Sequence, residues 1–312
     1  MSESVSVTIT IQDDTLRFAE VERRNQGVRV LRMGDASFSF DLTRALLRED
    51  GDAQQTRQVQ DAIAAAIDGT EARDLRVAVH PPQGYSFFTP ISSDVPVRDR
   101  KRQLLQQAAL VTGIRSTQKL RLTSETVRTT QDSEGAPFIW VHVLAVPNPV
   151  DDRMASIVEA LPMRNHAWMV SSEAASRVTS RVERTGGSAQ EALRPYTLAI
   201  GQYSTHTEYA LSRNREWYHA HYAEEAYSPE NRAYFAVGFL NRVDVSLDSV
   251  GRLFVYGTDV DLTDYGPFES IFGQAPDLLD PLRIVENRAG HRPDEPCSFV
   301  PCVGAGMEDY ME

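Results

Sequence analysis

Val5-Ser-Val-Thr-Ile-Thr-Ile11, Leu16-Arg-Phe-Ala-Glu-Val21 and Val28-Arg-Val-Leu-Arg-Met33 form the stretch that decides the fold. Residue character alternates with a period of two in all three segments, the period of a β-strand. Gln12-Asp13-Asp14-Thr15 and Gln26-Gly27 supply the corners, so the stretch predicts a three-stranded meander.

Downstream, Asp41–Arg48 reads as a short capped helix and Asp52–Asp68 as a longer one, with Val59, Ile63, Ala66 and Ile67 on one face and Gly69 as the stop. Leu75–Val79 reads as a buried strand ended by Pro81-Pro82, and Tyr85–Thr89 returns as its partner. Helix Val97–Thr112 follows, then strands Lys119–Val127 and Pro137–Val146 around a polar loop, Thr129–Gly135. Helix Pro149–Ala160, strand His166–Val170 and helix Glu173–Arg184 complete this half.

Thr185-Gly-Gly-Ser-Ala189 is small, polar and flexible in character and marks a boundary. Beyond it, Tyr196–Gln202, Thr207–Ser212 and Trp217–Tyr222 predict a second meander. Helix Pro229–Leu240 opens with Ser228 as N-cap and Pro229 at its first position. Strand Arg252–Tyr256, helix Pro267–Phe272, a short strand Leu282–Val285 and an apolar tail, Ser298–Gly306, packing back onto the body complete the reading. Two meanders, each leading into mixed α/β material, predict two related lobes.

Bulk properties exclude several classes. With 312 residues, 41% hydrophobic and 24% charged, the chain is long enough for two lobes. A net charge of −12 opposes binding to nucleic acid or to an anionic lipid surface. The start, Met1-Ser-Glu-Ser-Val-Ser6, has neither the basic nor the apolar region of a signal peptide, and no apolar run is long enough to span a bilayer. Cys297 and Cys302 are too few for a disulfide framework and are expected as packed thiols in a reducing cytoplasm.

Isolated signatures along nearly the whole chain resemble the actin-like family of type IV pilus and type II secretion assembly proteins, the PilM family. The opening meander resembles its first phosphate hairpin, Leu198–Arg213 its second, and Leu253-Phe-Val-Tyr-Gly257 the strand before its adenosine loop. Val79-His-Pro-Pro-Gln-Gly-Tyr85 and Val143-Leu-Ala-Val-Pro-Asn148 stand where the family has an inserted subdomain, Glu173–Arg177 where a helix returns to the first lobe, and Phe299–Met307 where the chain closes. The resemblance implies an α/β, two-lobed actin-like (ribonuclease H-like duplicated) fold with an inserted α/β subdomain. It places the first lobe at 1–72, the insertion at 73–170, the return helix and linker at 171–188, the second lobe at 189–296 and the C-terminal return at 297–312.

The resemblance also implies a nucleotide cleft that would take ATP and Mg²⁺, at Asp13, Asp14, Thr15, Gly201, Ser204, Thr205, Thr207, Gly257 and Thr258. Each motif departs from the family pattern. A phosphate hairpin needs glycine, because backbone N–H groups must approach phosphate with no Cβ in the way. Gln12-Asp-Asp-Thr15 has none, and two adjacent carboxylates repel an anion. The second hairpin lacks the aspartate that would hold Mg²⁺, and Gly257 is followed by Thr258-Asp259 instead of a second glycine. A degenerate cleft is therefore expected, with no catalytic residue, no cofactor and no metal ligand: a pseudo-ATPase.

The implied role is a cytoplasmic scaffold recruited to the inner membrane by the N-terminal tail of a one-pass membrane partner. That tail would lie in a groove near Val79–Tyr85, Val143–Asn148 and Glu173 and bind by backbone addition. Two alternatives stay open: an active actin-fold ATPase or kinase with diverged loops, and an unrelated two-lobed binding protein. His219-x-His221, with Glu208 or His206 on a neighbouring strand, is the one spacing that suggests metal, against the simpler reading of strand histidines. No Gly-x-Ser-x-Gly elbow, His-Glu-x-x-His helix or P-loop lysine is present. Asp259–Asp264 lacks the glycine and glutamate of a calcium loop.

Overall fold

The computed structural model describes residues 4–24, 27–114, 116–131, 134–186, 194–224, 228–287, 290 and 292–307. β1 (Ser4–Gln12), β2 (Thr15–Arg24) and β3 (Gly27–Ser37) form the expected meander, with Gln12 opposite Thr15 across a turn in which Asp13 takes a left-handed φ of 50°. Aspartate tolerates that conformation better than most residues, which is why the turn forms without glycine. Alternation along β1 does not signal a wet face. Val7, Ile9 and Ile11 pack on one side, while Thr8 and Thr10, also buried, hydrogen-bond on the other, Thr8 Oγ1 donating to the Cys302 carbonyl at 2.7 Å.

α1 (Leu42–Leu47) and α2 (Ala53–Ile67) cover the apolar face of β1, each started by an aspartate, Asp41 or Asp52, that accepts from first-turn N–H groups. β4 (Asp74–Val79) then joins β1 in parallel. β5 (Tyr85–Ser92), α3 (Val97–Thr112), β6 (Leu120–Gln131), β7 (Pro137–Pro147) and α4 (Asn148–Glu159) follow, and β8 (Asn165–Val170) returns beside β4. The first sheet ends in the order β3-β2-β1-β4-β8, and β5-β7-β6 make a separate three-stranded sheet.

Three expectations change here. β4 and β8, at the ends of the expected 73–170 insertion, belong to the first sheet, because the buried Val77 and Val79 pair with Trp168 and Val170; the inserted part lies between them. Tyr85–Thr89 pairs with β7 and not with Leu75–Val79. The loop expected at Thr129–Gly135 is also shorter, since Thr129, Thr130 and Gln131 continue β6 opposite Ile139, Phe138 and Pro137.

α5 (Ser171–Gly186) crosses to the second lobe; most of the boundary expected at Thr185–Ala189 lies outside the described residues. β9 (Tyr196–Gln202), β10 (Thr207–Arg213) and β11 (Glu216–Ala223) form the second meander, its β10–β11 corner built from Asn214 and Arg215 at φ 51° and 72°. α6 (Pro229–Arg242) packs on this sheet, Ser228 Oγ accepting from Asn231 N–H as expected of its N-cap. β12 (Val250–Gly257), α7 (Gly266–Phe272) and β13 (Asp277–Leu278) complete the order β11-β10-β9-β12-β13.

Leu282–Val285 is not a strand. Asp280 accepts from Leu282 N–H and Pro281 fixes a tight 3-10 turn, Pro281–Arg283; the strand comes later, as β14 (Glu286–Asn287). β14 pairs with β3, so this piece of the 189–296 segment adds an edge to the first-lobe sheet. The tail packs back as expected and forms α8 (Val300–Gly306), which lies against α5, β1 and β2. Cys297 and Cys302 are buried free thiols, pushed by burial up to about 11 and about 12.

The three-stranded sheet is braced against β11. Phe88 stacks on His219 at 4.1 Å between ring centroids, His142 meets Trp217 edge-on at 4.5 Å, and the Arg128 guanidinium lies 3.9 Å above the Tyr218 ring. At the other side of the molecule, a single apolar cluster joins β2 and β3 to α5, β12 and α8.

Candidate functional site

The turns of both meanders and the loop after β12 converge where the two sheets face each other. Ser204 Oγ hydrogen-bonds the Asp13 carboxylate, so the two hairpins touch directly. Gln12 Nε2 lies 3.5 Å from Thr258 Oγ1, and Thr258 N–H donates to the Gln202 carbonyl at 3.0 Å. Gln202 is itself pinned: its Oε1 accepts from Tyr265 O–H at 2.9 Å and from the Arg232 guanidinium, and its Nε2 donates to the Asp259 carbonyl at 2.8 Å.

The two glycines expected to face a ligand face protein. A Cβ on Gly201 would come within 2.7 Å of the Tyr256 ring, and one on Gly257, at φ 114°, within 2.0 Å of the Gln202 carbonyl oxygen. Both are used for close packing of the chain on itself. Asp13, Ser204, Gly201, Gly257 and Thr258 are therefore brought together; Asp14 points to solvent, its carboxylate taking the Thr15 hydroxyl at 3.0 Å, and Thr205 is exposed beside His206. Thr207 is buried at the start of β10.

Behind these turns lies a buried polar cluster. His80 follows β4 and is fixed by the Pro81-Pro82 turn, its backbone N–H donating to Gln83 Oε1 at 3.2 Å. From the second lobe come Tyr203, His206 and Glu208. Glu208, fully buried, has its Oε1 2.6 Å from His80 Nδ1, 2.6 Å from Ser171 Oγ and 3.0 Å from His206 Nε2, while its Oε2 accepts from Tyr256 O–H at 3.0 Å. Burial by itself would raise the Glu208 carboxyl, but the two imidazoles against it, His80 first and then His206, outweigh burial through their hydrogen bonds and hold the group ionised, well below the usual range. Burial also holds His80 below its ordinary value despite Glu208. The Tyr203 ring, 6% exposed, stacks on His206 at 4.9 Å and meets His80 edge-on at 4.3 Å, wedged between the lobes.

The His219–His221 spacing does not build the expected cluster. Glu208 stands opposite Tyr222 and Tyr209 opposite His221, so Glu208 and His206 occupy the other face of the sheet, and both strand histidines pack on Phe239. His80 was not singled out by spacing; its only signal was a histidine directly after a buried strand, held by two prolines.

A second concavity lies between the first lobe and the three-stranded sheet. Thr123, Ser124 and Glu125 of β6, His142 and Leu144 of β7, Trp168, Met169 and Val170 of β8, and Glu173 and Arg177 of α5 enclose about 270 Å³. Of the expected groove, Leu144 and Glu173 lie in this wall, whereas His80 turns to the cleft. Glu173 and Arg177 pair at 2.7 Å across one helical turn, and β6 is an edge strand of its sheet.

His142 in this groove and the two histidines of β11 carry a pH dependence. Burial holds His142 at about 3 and His219 and His221 at about 4, so all three fold as neutral rings. The unfolded chain binds their protons near pH 6.5, so stability is complete above about pH 7 and falls as pH drops from 6.5 towards 4 and 3. His142 alone should cost about 2 kcal/mol at pH 5. Melting curves between pH 8 and pH 5 should show a falling Tm, and His142→Gln should flatten the slope; an unchanged slope would count against a neutral buried ring.

Comparison with known proteins agrees with this layout. The chain is similar to the PilM–PilN type IV pilus biogenesis complex, with a TM-score of 0.67 at 13% identity over 96% of this chain and 97% of that one. It is also similar to a protein with an actin-like ATPase fold from Bacteroides thetaiotaomicron, with a TM-score of 0.55 at 11% identity over 89% and 91%. No protein-family model matches the sequence, and no curated protein matches it. Likeness at these identities establishes the architecture: this is a two-lobed actin-like α/β fold with an inserted subdomain. Its arrangement resembles that in the PilM–PilN complex.

Proposed function

We propose that the protein is an actin-fold scaffold of a type IV pilus or secretion-type envelope assembly that takes the N-terminal tail of a one-pass membrane protein and does not hydrolyse ATP. The observation that carries this reading is the pairing of a self-bonded cleft with an open groove. In the cleft, Asp13 meets Ser204, Gln202 meets the Gly257–Thr258 backbone, and Tyr203 occupies the centre. These residues do not fit ATP·Mg²⁺: the glycines that would admit phosphate are packed on Tyr256 and Gln202, and the carboxylate of Asp13 is engaged. In the groove, the β6 edge supplies backbone partners and Leu144, Trp168 and Met169 supply apolar pockets, the two things an extended peptide needs. Likeness to a complex of PilM with PilN supports the same assignment. No helix among the described residues is long and apolar enough to cross a membrane, so recruitment from the cytoplasm would come through the partner.

The test uses calorimetry on the purified chain. Titration with the N-terminal peptide of a one-pass membrane protein encoded beside it should give micromolar binding, on the scale of about −8 kcal/mol. Ser124→Trp, at the exposed β6 wall of the groove, should weaken it at least tenfold, while ATP·Mg²⁺ should give no heat. Micromolar ATP binding that Asp13→Ala weakens would replace this reading with that of an active ATPase or kinase. Failure of every neighbouring peptide would remove the assembly role.

A further inference from the structure

We propose that His80, His206 and Glu208 form a binding site for one zinc-class divalent ion, which bridges the two lobes behind the facing hairpin turns. This goes beyond the scaffold reading and does not depend on which peptide the groove takes.

The three side chains are buried, and their ligand atoms all lie within 4.8 Å of one another. Two imidazole nitrogens and a carboxylate oxygen are a donor set that suits zinc, which favours three protein ligands plus one exchangeable or hydroxyl oxygen in a tetrahedron. Ser171 Oγ, 2.6 Å from Glu208 Oε1, is placed to supply or orient that fourth oxygen. The ligands' outer atoms also have partners of the kind that fix ring orientation: His206 Nδ1 lies 3.1 Å from Thr205 Oγ1, and His80 Nε2 lies 3.5 Å from Thr10 Oγ1.

Crowding at one oxygen favours an ion over hydrogen bonds alone. Glu208 Oε1 has three groups within hydrogen-bonding distance, at 2.6, 2.6 and 3.0 Å, whereas Oε2 has one at 3.0 Å. A carboxylate oxygen has two lone pairs, so three donors compete for them. Nitrogen and oxygen ligands about 2.1 Å from a tetrahedral ion stand roughly 3.4 Å apart, so His206 needs a shift of a few tenths of an ångström and His80 somewhat more.

Charge points the same way. Among the described residues, Glu208 has no Lys or Arg ion pair; its ionic contacts are the two imidazoles. Against it stand the neutral hydroxyls of Ser171 and Tyr256 and, further out, Arg17, whose guanidinium bonds Gln12. A buried carboxylate is costly without a compensating charge, and a divalent ion would supply it. His80 comes from the first lobe and His206 and Glu208 from the second, so one ion would clamp both.

The experiment measures zinc in the full chain purified from zinc-supplemented cells, then titrates chelator-stripped protein with Zn²⁺ against a chromophoric chelator. Wild type should hold one equivalent. His206→Gln should bind at least 100-fold more weakly, in line with loss of one of three ligands. His219→Gln, on the opposite face of the sheet, should match wild type. Co²⁺ loading should give the visible absorption of a tetrahedral N/O site in wild type and His219→Gln only, and Zn²⁺ should raise Tm in those two proteins alone. Equal zinc affinity in wild type and His206→Gln, or less than a tenth of an equivalent in wild type after both routes of loading, would overturn the site. Because His206→Gln leaves the Glu208 side chain itself in place, a folding defect in a Glu208 variant does not decide the matter.

Discussion

Gly304→Val should lower Tm by roughly 5–10 °C, a loss on the order of 3 kcal/mol. A Cβ at Gly304 would lie 2.0 Å from the Ala174 carbonyl oxygen and 2.6 Å from its carbon, both backbone atoms. No rotamer relieves such a contact, so α8 must move off α5. That movement disturbs the apolar cluster to which Val300, Cys302 and Val303 contribute, and the hydrogen bond from Thr8 to the Cys302 carbonyl. Gly238→Ala, in the middle of α6 with nothing near its added Cβ, is the control and should be neutral or stabilising by up to about 1 kcal/mol. Thermal denaturation followed by circular dichroism reads both. A Gly304→Val protein melting with wild type would mean that α8 does not sit against α5.

Glu208→Ala should cost about 3–5 kcal/mol, measured in chelator so that metal plays no part. Its carboxylate accepts from Ser171 and Tyr256 and is approached by both imidazoles; truncation strands these partners in a dry site and opens a cavity among them. Glu208→Gln keeps volume and one acceptor and should lose roughly half as much. Urea midpoints for the three proteins should therefore fall in the order wild type, Gln, Ala. If Ala and Gln variants unfold together at the wild-type midpoint, the cluster contributes nothing to holding the lobes.

Much of the architecture was legible because its signals are local. Strand alternation in Val5–Met33 and Tyr196–Tyr222, and caps at Asp41, Asp52 and Ser228, act within a few residues, and the elements they announce are present. Leu282–Val285 misled because an apolar run carries strand character, while Asp280 and Pro281 impose a turn whose effect depends on one side-chain hydrogen bond. The length of β6 was hidden because its outer end, Thr129–Gln131, is polar and exposed in part, and only pairing with β7 makes it strand. The candidate cluster was the least legible part. His80 and Glu208 are 128 residues apart and sit in different lobes, and nothing local in either segment announces the other. The glycines show another limit: Gly201 and Gly257 were expected to line a nucleotide cleft, and the atoms packed against them belong to Tyr256 and Gln202, which no local pattern announces.

The short passage from β13 to β14 has a mechanical consequence. Leu278 ends on the outer edge of the second sheet and Glu286 begins on the outer edge of the first, where Arg29 holds it at 2.8 Å. Eight residue steps of chain reach at most about 27 Å when fully drawn out, and here they are coiled through a 3-10 turn. That edge is a tether, and any swing of the lobes must pivot about it. The free end of such a swing is the far side, where the three-stranded sheet meets β11 and Phe88–His219, His142–Trp217 and Arg128–Tyr218 form a clasp. The molecule is hinged on one side and latched on the other, and the latch is made by the same small sheet that walls the groove.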